Sequence, residues 1–107
     1  MKISGVVIKG DGYGRKLGYP TVNLEVKEGQ IPKQGVYCGY ASLDKKSHRA
    51  GIIIGPLDKV EAHLIGYSAD AYGKTVKLII KDFLRDYQKF ETEAELIKQI
   101  EKYLSKC

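Results

Sequence analysis

The sequence predicts a mainly β domain: a small closed antiparallel barrel of six short strands, with one α-helix at the C-terminus. Three observations lead there. Apolar, β-branched runs recur from residue 2 to residue 81, each short and bounded by turn residues. Several of these runs alternate polar and apolar residues, the period of a half-buried strand. Helical spacing appears only from Thr92 onward. A sheet this small leaves two exposed edges unless it closes, so the strand count favours a barrel.

The elements follow in order. Residues 2–9, Lys-Ile-Ser-Gly-Val-Val-Ile-Lys, form the first strand. A glycine-rich loop leads to a short strand at Thr21–Val26, and residues 28–35, with Gly29, Pro32 and Gly35, make a turn-rich connection. Val36–Leu43 is apolar on both faces, as expected inside a barrel or under a cover. Asp44–His48 is a polar hairpin tip, and Arg49–Ile54 returns from it. In Lys59–Ile65, Val60, Ala62 and Leu64 share one face while Glu61, His63 and Ile65 share the other. Lys74–Lys81 places Val76, Leu78 and Ile80 together. Thr92-Glu93-Ala94-Glu95 is a capping box, and Leu96, Ile97, Ile100, Tyr103 and Leu104 form the apolar stripe of the helix it opens.

At 107 residues the chain is expected to be one domain, 1–107, with a single core. Hydrophobic content of 43% and charged content of 29% are those of a globular protein. No apolar run approaches the ~20 residues of a membrane span, and no signal-peptide pattern opens the chain. Cys38 and Cys107 do not make a disulfide framework and are expected to be free thiols, so the chain reads as cytoplasmic, with no membrane partner. The net charge of +5 fits any polyanion, nucleoside triphosphate or nucleic acid. Lys45, Lys46 and Arg49 near the hairpin tip fit either a solvated loop or a docking patch.

The most informative stretch is Gly10–Asn23. Its four glycines, Gly10, Gly12, Gly14 and Gly18, let backbone N–H groups approach an anion closely, and Arg15 and Lys16 supply opposite charge. After Pro20, Thr21 and Asn23 offer neutral oxygens two residues apart, on one side of an extended segment. Such oxygens suit a hard cation such as Mg²⁺ held against phosphates. The familiar phosphate motifs fail. Gly73-Lys74-Thr75 lacks the first glycine of a Walker loop, since Ser68 stands there, and a strand follows instead of a helix. Gly10, Gly12 and Gly14 alternate and do not match the dinucleotide fingerprint.

Three segments combine into one candidate site: the glycine loop with Thr21 and Asn23, the outward-facing Glu61, and Arg85 and Phe90 just before the helix. A carboxylate beside a metal–phosphate centre can accept the proton of an attacking alcohol, worth ~10²–10⁴ in rate. Each piece also has a plainer reading. Glu61 fits a solvated surface carboxylate, Thr-Val-Asn a strand entry, the glycines tight turns, His63 a surface histidine, and Arg85 a partner for Asp82 or Asp86.

The order of the pieces resembles the riboflavin kinase family, also found as the C-terminal module of bifunctional FAD synthetases. Gly10–Leu24 is similar to its glycine-rich loop running into Pro-Thr-x-Asn, here Pro20-Thr21-Val22-Asn23. Residues 31–37 resemble its Pro-x-x-Gly-Val-Tyr, and Val60-Glu61-Ala62-His63 its Val-Glu-x-His strand. Asp70-Ala71-Tyr72-Gly73-Lys74 resembles its Leu-Tyr-Gly-Lys turn, and Phe83-Leu84-Arg85, Lys89-Phe90 and the helix resemble its C-terminal end.

The resemblance implies a six-stranded Greek-key barrel that transfers the γ-phosphate of ATP to the 5′-hydroxyl of riboflavin, giving FMN and ADP. It implies that Gly10, Gly12, Tyr13, Gly14, Arg15, Lys16, Gly18, Pro20, Thr21 and Asn23 bind nucleotide, with Thr21 and Asn23 on Mg²⁺. Glu61 would be the general base, and Arg85, Lys89 and Phe90 would bind the flavin. The expected partners are small-molecule substrates, with no nucleic acid and a monomeric chain. Family members carry a longer connection before the Val-Glu-x-His strand; here it is only Ile54-Gly55-Pro56-Leu57-Asp58-Lys59, which shortens the lid over the flavin. No adenylyltransferase domain precedes the kinase module in this sequence, so FAD synthesis is not expected of it. A non-catalytic flavin or nucleotide binder is the second reading, and a basic nucleic-acid-binding barrel with eight tyrosines the third.

Overall fold

Val60, Ala62 and Leu64 are 1%, 1% and 3% exposed, while Glu61 and His63 between them are half-buried, so period-two patterning sets the fifth strand's inner face. The same rule builds the rest of the barrel. The computed structural model describes residues 1–8, 22–67 and 71–87, together with Lys98, Lys102 and Ser105. Its strands are β1 (Lys2–Ile8), β2 (Val22–Glu28), β3 (Gly35–Leu43), β4 (Lys46–Ile54), β5 (Val60–Leu64) and β6 (Thr75–Arg85), with a 3₁₀ turn at Pro56–Asp58.

The strands close in the order β1-β2-β5-β4-β3-β6, every neighbouring pair antiparallel. Closure pairs every strand on both sides and leaves no free edge. The core lies inside: Ile52, Ile54, Val76 and Leu78 are fully buried among the inward residues of the other strands. Gly39 is where β3 and β6 press closest, since an added Cβ would stand 1.9 Å from the Ile79 carbonyl oxygen. The β3–β6 register shifts beside it, between Cys38 and Gly39.

Several boundaries differ from the sequence expectation. β2 runs on to Glu28, because its outer residues continue the ladder with β1. The β3–β4 hairpin tip shrinks to Asp44 and Lys45, whose φ angles of 51° and 64° give the left-handed pair of a two-residue loop. Lys46, Ser47 and His48 therefore belong to β4. β6 extends through Arg85, so Phe83, Leu84 and Arg85 lie in a strand and not in a loop before a helix.

The expectation of free thiols is overturned at Cys38, which is disulfide-bonded; cysteine connectivity cannot be read from two positions in a sequence. Cys107 lies outside the described residues. Outward-facing Val36 and Cys38 are 2% and 6% exposed, as the apolar character of both faces of this strand requires. The expected C-terminal helix lies outside the described residues except for Lys98, Lys102 and Ser105, whose backbone is helical. No helix among the described residues is long and apolar enough to cross a membrane.

Candidate active site

Asn23 and Glu61 are far apart in sequence, yet the β2–β5 register makes them direct partners. Inward Leu24 stands opposite Val60 and Val22 opposite Ala62, and this fixes the intervening pair on the outer face. Partners of this kind place their Cβ atoms ~4.5–5.5 Å apart. The row continues to Ile8 on β1 and Ile53 on β4.

Asn23 is a buried polar residue, 9% exposed, and its Oδ1 has no hydrogen-bond partner among the described residues. Leaving a buried acceptor unsatisfied costs ~1–3 kcal/mol, so a fold that keeps one invites a functional explanation. A carboxamide oxygen fits a hard divalent cation, which takes oxygen ligands and neutral donors readily. Glu61 is a quarter exposed, and its Oε1 lies 3.0 Å from the Lys59 Nζ. The ammonium end is half in solvent, so the pair orients the carboxylate while contributing only ~0–1 kcal/mol to stability. Sequence reasoning missed Lys59; the Lys-x-Glu spacing on an alternating segment was the available signal.

Next along β5, His63 faces the same way as Glu61, opposite Gly51. An added Cβ at Gly51 would meet no described residue within 4 Å, although Gly51 is itself buried. Arg85 is not brought beside Glu61: it ends β6, three strands around the barrel, opposite Val36. It does share the barrel end of the short 54–60 connection, where Gly55 packs on the Tyr87 ring. The tip of that connection is Leu57, fully exposed, with Leu57 and Asp58 at φ 59° and 57°. Residues Gly10, Gly12, Tyr13, Gly14, Arg15, Lys16, Gly18, Pro20, Thr21, Lys89 and Phe90 lie outside the described residues.

A family model described as Flavokinase: Riboflavin kinase matches residues 1–107. The bifunctional riboflavin kinase/FMN adenylyltransferase of Escherichia coli (strain K12) is 31% identical over 110 residues, covering 92% of this chain and 34% of that protein. The RNA-binding riboflavin kinase RibR of Bacillus subtilis (strain 168) is 33% identical over 111 residues, covering 96% of this chain and 48% of that protein. The chain thus spans about a third to a half of the length of these relatives. A crystal structure described as a macrolide-efflux protein from Streptococcus pneumoniae superposes with a TM-score of 0.90 at 28% identity, over 97% of this chain and 37% of that one.

Proposed function

A chain matched from residue 1 to residue 107 by this model belongs to the riboflavin kinase family, and on that premise we propose that it phosphorylates riboflavin with ATP. The observation that carries the reading is the unsatisfied Asn23 Oδ1 standing in register with Glu61. A phosphoryl-transfer site needs little covalent help from the protein; it needs positioned oxygens, charge neutralisation and a proton acceptor. Asn23, with Thr21 before it, would hold a divalent cation such as Mg²⁺, which when bound neutralises phosphate charge. The glycine loop with Arg15 and Lys16 would bind the phosphates, and Arg85, Lys89 and Phe90 would line the flavin side.

Glu61 accepts the proton of the riboflavin 5′-hydroxyl as that oxygen bonds to the γ-phosphorus. The bond from the γ-phosphorus to the β–γ bridging oxygen breaks, ADP leaves with the electron pair, and FMN remains. Lys59 orients the Glu61 carboxylate before the alcohol arrives. Such a transfer requires no nucleic acid, membrane or second copy of the chain. In this reading residues 1–107 form one domain, a Greek-key barrel followed by a helix.

Incubation with ATP, Mg²⁺ and riboflavin should yield FMN and ADP in equal amounts. Glu61→Gln should keep the fold and lower kcat by about 10²–10⁴. Tight flavin or nucleotide binding without any FMN would instead make the chain a binder, and near-normal turnover in Glu61→Gln would remove that residue from the base role.

A further inference from the structure

The wall formed by β1, β6, β3 and β4 carries a second organised surface. Two register rows cross it. One runs Lys2, Ile79, Tyr40, Arg49; the other runs Ser4, Lys77, Ser42, Ser47. Residues in such rows face the same way, one strand spacing of ~4.8 Å apart. Lys2, Lys77, Lys81 and Arg49 are exposed, and Tyr40 in their midst is 39% exposed, with the Lys81 Nζ 5.5 Å from its ring centroid. A cleft of about 490 Å³ opens between Lys2, Ser4, Ser42, Lys77 and Ile79. Glu28, opposite Ser4, also lines this cleft, and Asp82 stands outside it, opposite Cys38.

These cations are not neutralised by any described carboxylate. Among the described residues the ion pairs join Lys27 to Glu25, Lys59 to Glu61 and Lys74 to Asp44, and no carboxylate pairs with Lys2, Lys77, Lys81 or Arg49. Like charges gathered on one face repel, and an external polyanion relieves that repulsion. An exposed ring among the cations adds a stacking platform, and polar Ser4, Ser42 and Ser47 add hydrogen-bonding groups for phosphate or sugar.

We propose that this β1–β6–β3–β4 face binds single-stranded nucleic acid, with Lys2, Lys77, Lys81 and Arg49 on successive phosphates and a base stacked at Tyr40. The alternating cation and ring fit a chain that presents phosphates and π-faces together. A bilayer would need more protruding apolar surface than one tyrosine and half-buried Ile79 provide. An acidic peptide supplies charge and no base for Tyr40. The face is built on strands other than β2 and β5, which carry Asn23 and Glu61, so the proposal stands independently of the phosphotransferase reading.

Anisotropy of a labelled single-stranded RNA oligonucleotide titrated with the full chain tests it. The log–log salt slope should be about −2 to −3, since three or four phosphates contribute about −0.7 each. The double variant K77E/K81E should weaken binding at least tenfold and flatten that slope by about half. Tyr40→Ala should weaken binding by roughly 5- to 100-fold with the slope kept, the loss of one stacked base. Circular dichroism and FMN formation should be unchanged in these variants. Equal affinity of K77E/K81E and the parent chain would overturn the proposal. So would the lack of any binding at low salt, or equally tight binding to polyglutamate or phosphatidylserine vesicles.

Discussion

Asn23 is the residue on which the site's energetics turn. Its Oδ1 is buried and has no partner among the described residues, while its neighbours Val22 and Leu24 pack against the barrel core. Asn23→Leu removes the orphaned acceptor and keeps the branched shape, with methyl groups somewhat larger than the amide atoms. It should raise the free energy of unfolding by about 1 kcal/mol, read from urea melts. The same change should weaken Mg²⁺–nucleotide binding in calorimetry, because a carboxamide oxygen has been lost. A destabilised variant would mean that the oxygen is satisfied in solution. Glu61 was legible from alternation alone, since Val60, Ala62 and Leu64 define the opposite face. Its partnership with Asn23 was not, because cross-strand register is a non-local property. Lys59 lies on the same alternating segment, but its ion pair with Glu61 depends on where both side chains end and not on spacing alone. The disulfide at Cys38 was likewise invisible, since a cysteine's partner depends on three-dimensional proximity.

Among the elements, the β3–β4 hairpin shows how local rules can be overridden. The sequence Asp44-Lys45 lacks the Asn-Gly or Asp-Gly signal of a two-residue loop, so a five-residue tip was the natural expectation. Pairing from Gly35↔Ile54 through to Leu43↔Lys46 leaves only those two residues to turn the chain, and both adopt positive φ. A left-handed lysine costs about 1 kcal/mol that glycine does not. Lys45→Gly should therefore raise Tm by about 4 °C, measured by differential scanning calorimetry. No change or a fall would mean that the ladder forces the turn without strain. β6 tells the complementary story. Its apolar alternation at Val76, Leu78 and Ile80 was plain, but its continuation through the shifted register near Gly39 to Arg85 was not.

For the whole molecule, closure depends on β6, which pairs with both β1 and β3. Leu78 lies at its centre and is fully buried. Leu78→Ala should cost about 2–5 kcal/mol in urea denaturation, a large part of the ~5–15 kcal/mol that a domain usually has. Loss of under 1 kcal/mol would show that the barrel collapses readily around the gap. Closure also builds the two outer faces. One sets Asn23 against Glu61, and the other gathers one or two cations from each of β1, β6 and β4 around Tyr40 of β3. No strand by itself carries that basic and aromatic pattern.

The amino-acid order by itself determined the number of strands, which residues point inward, and which family the chain joins. Those properties are local: a two-residue period and short motifs survive in one dimension. Strand order, register, the disulfide at Cys38 and the neighbours of every outward side chain were decided only by the closed sheet. They depend on which distant segments hydrogen-bond to each other, and that choice minimises the free energy of the whole barrel and not of any single segment.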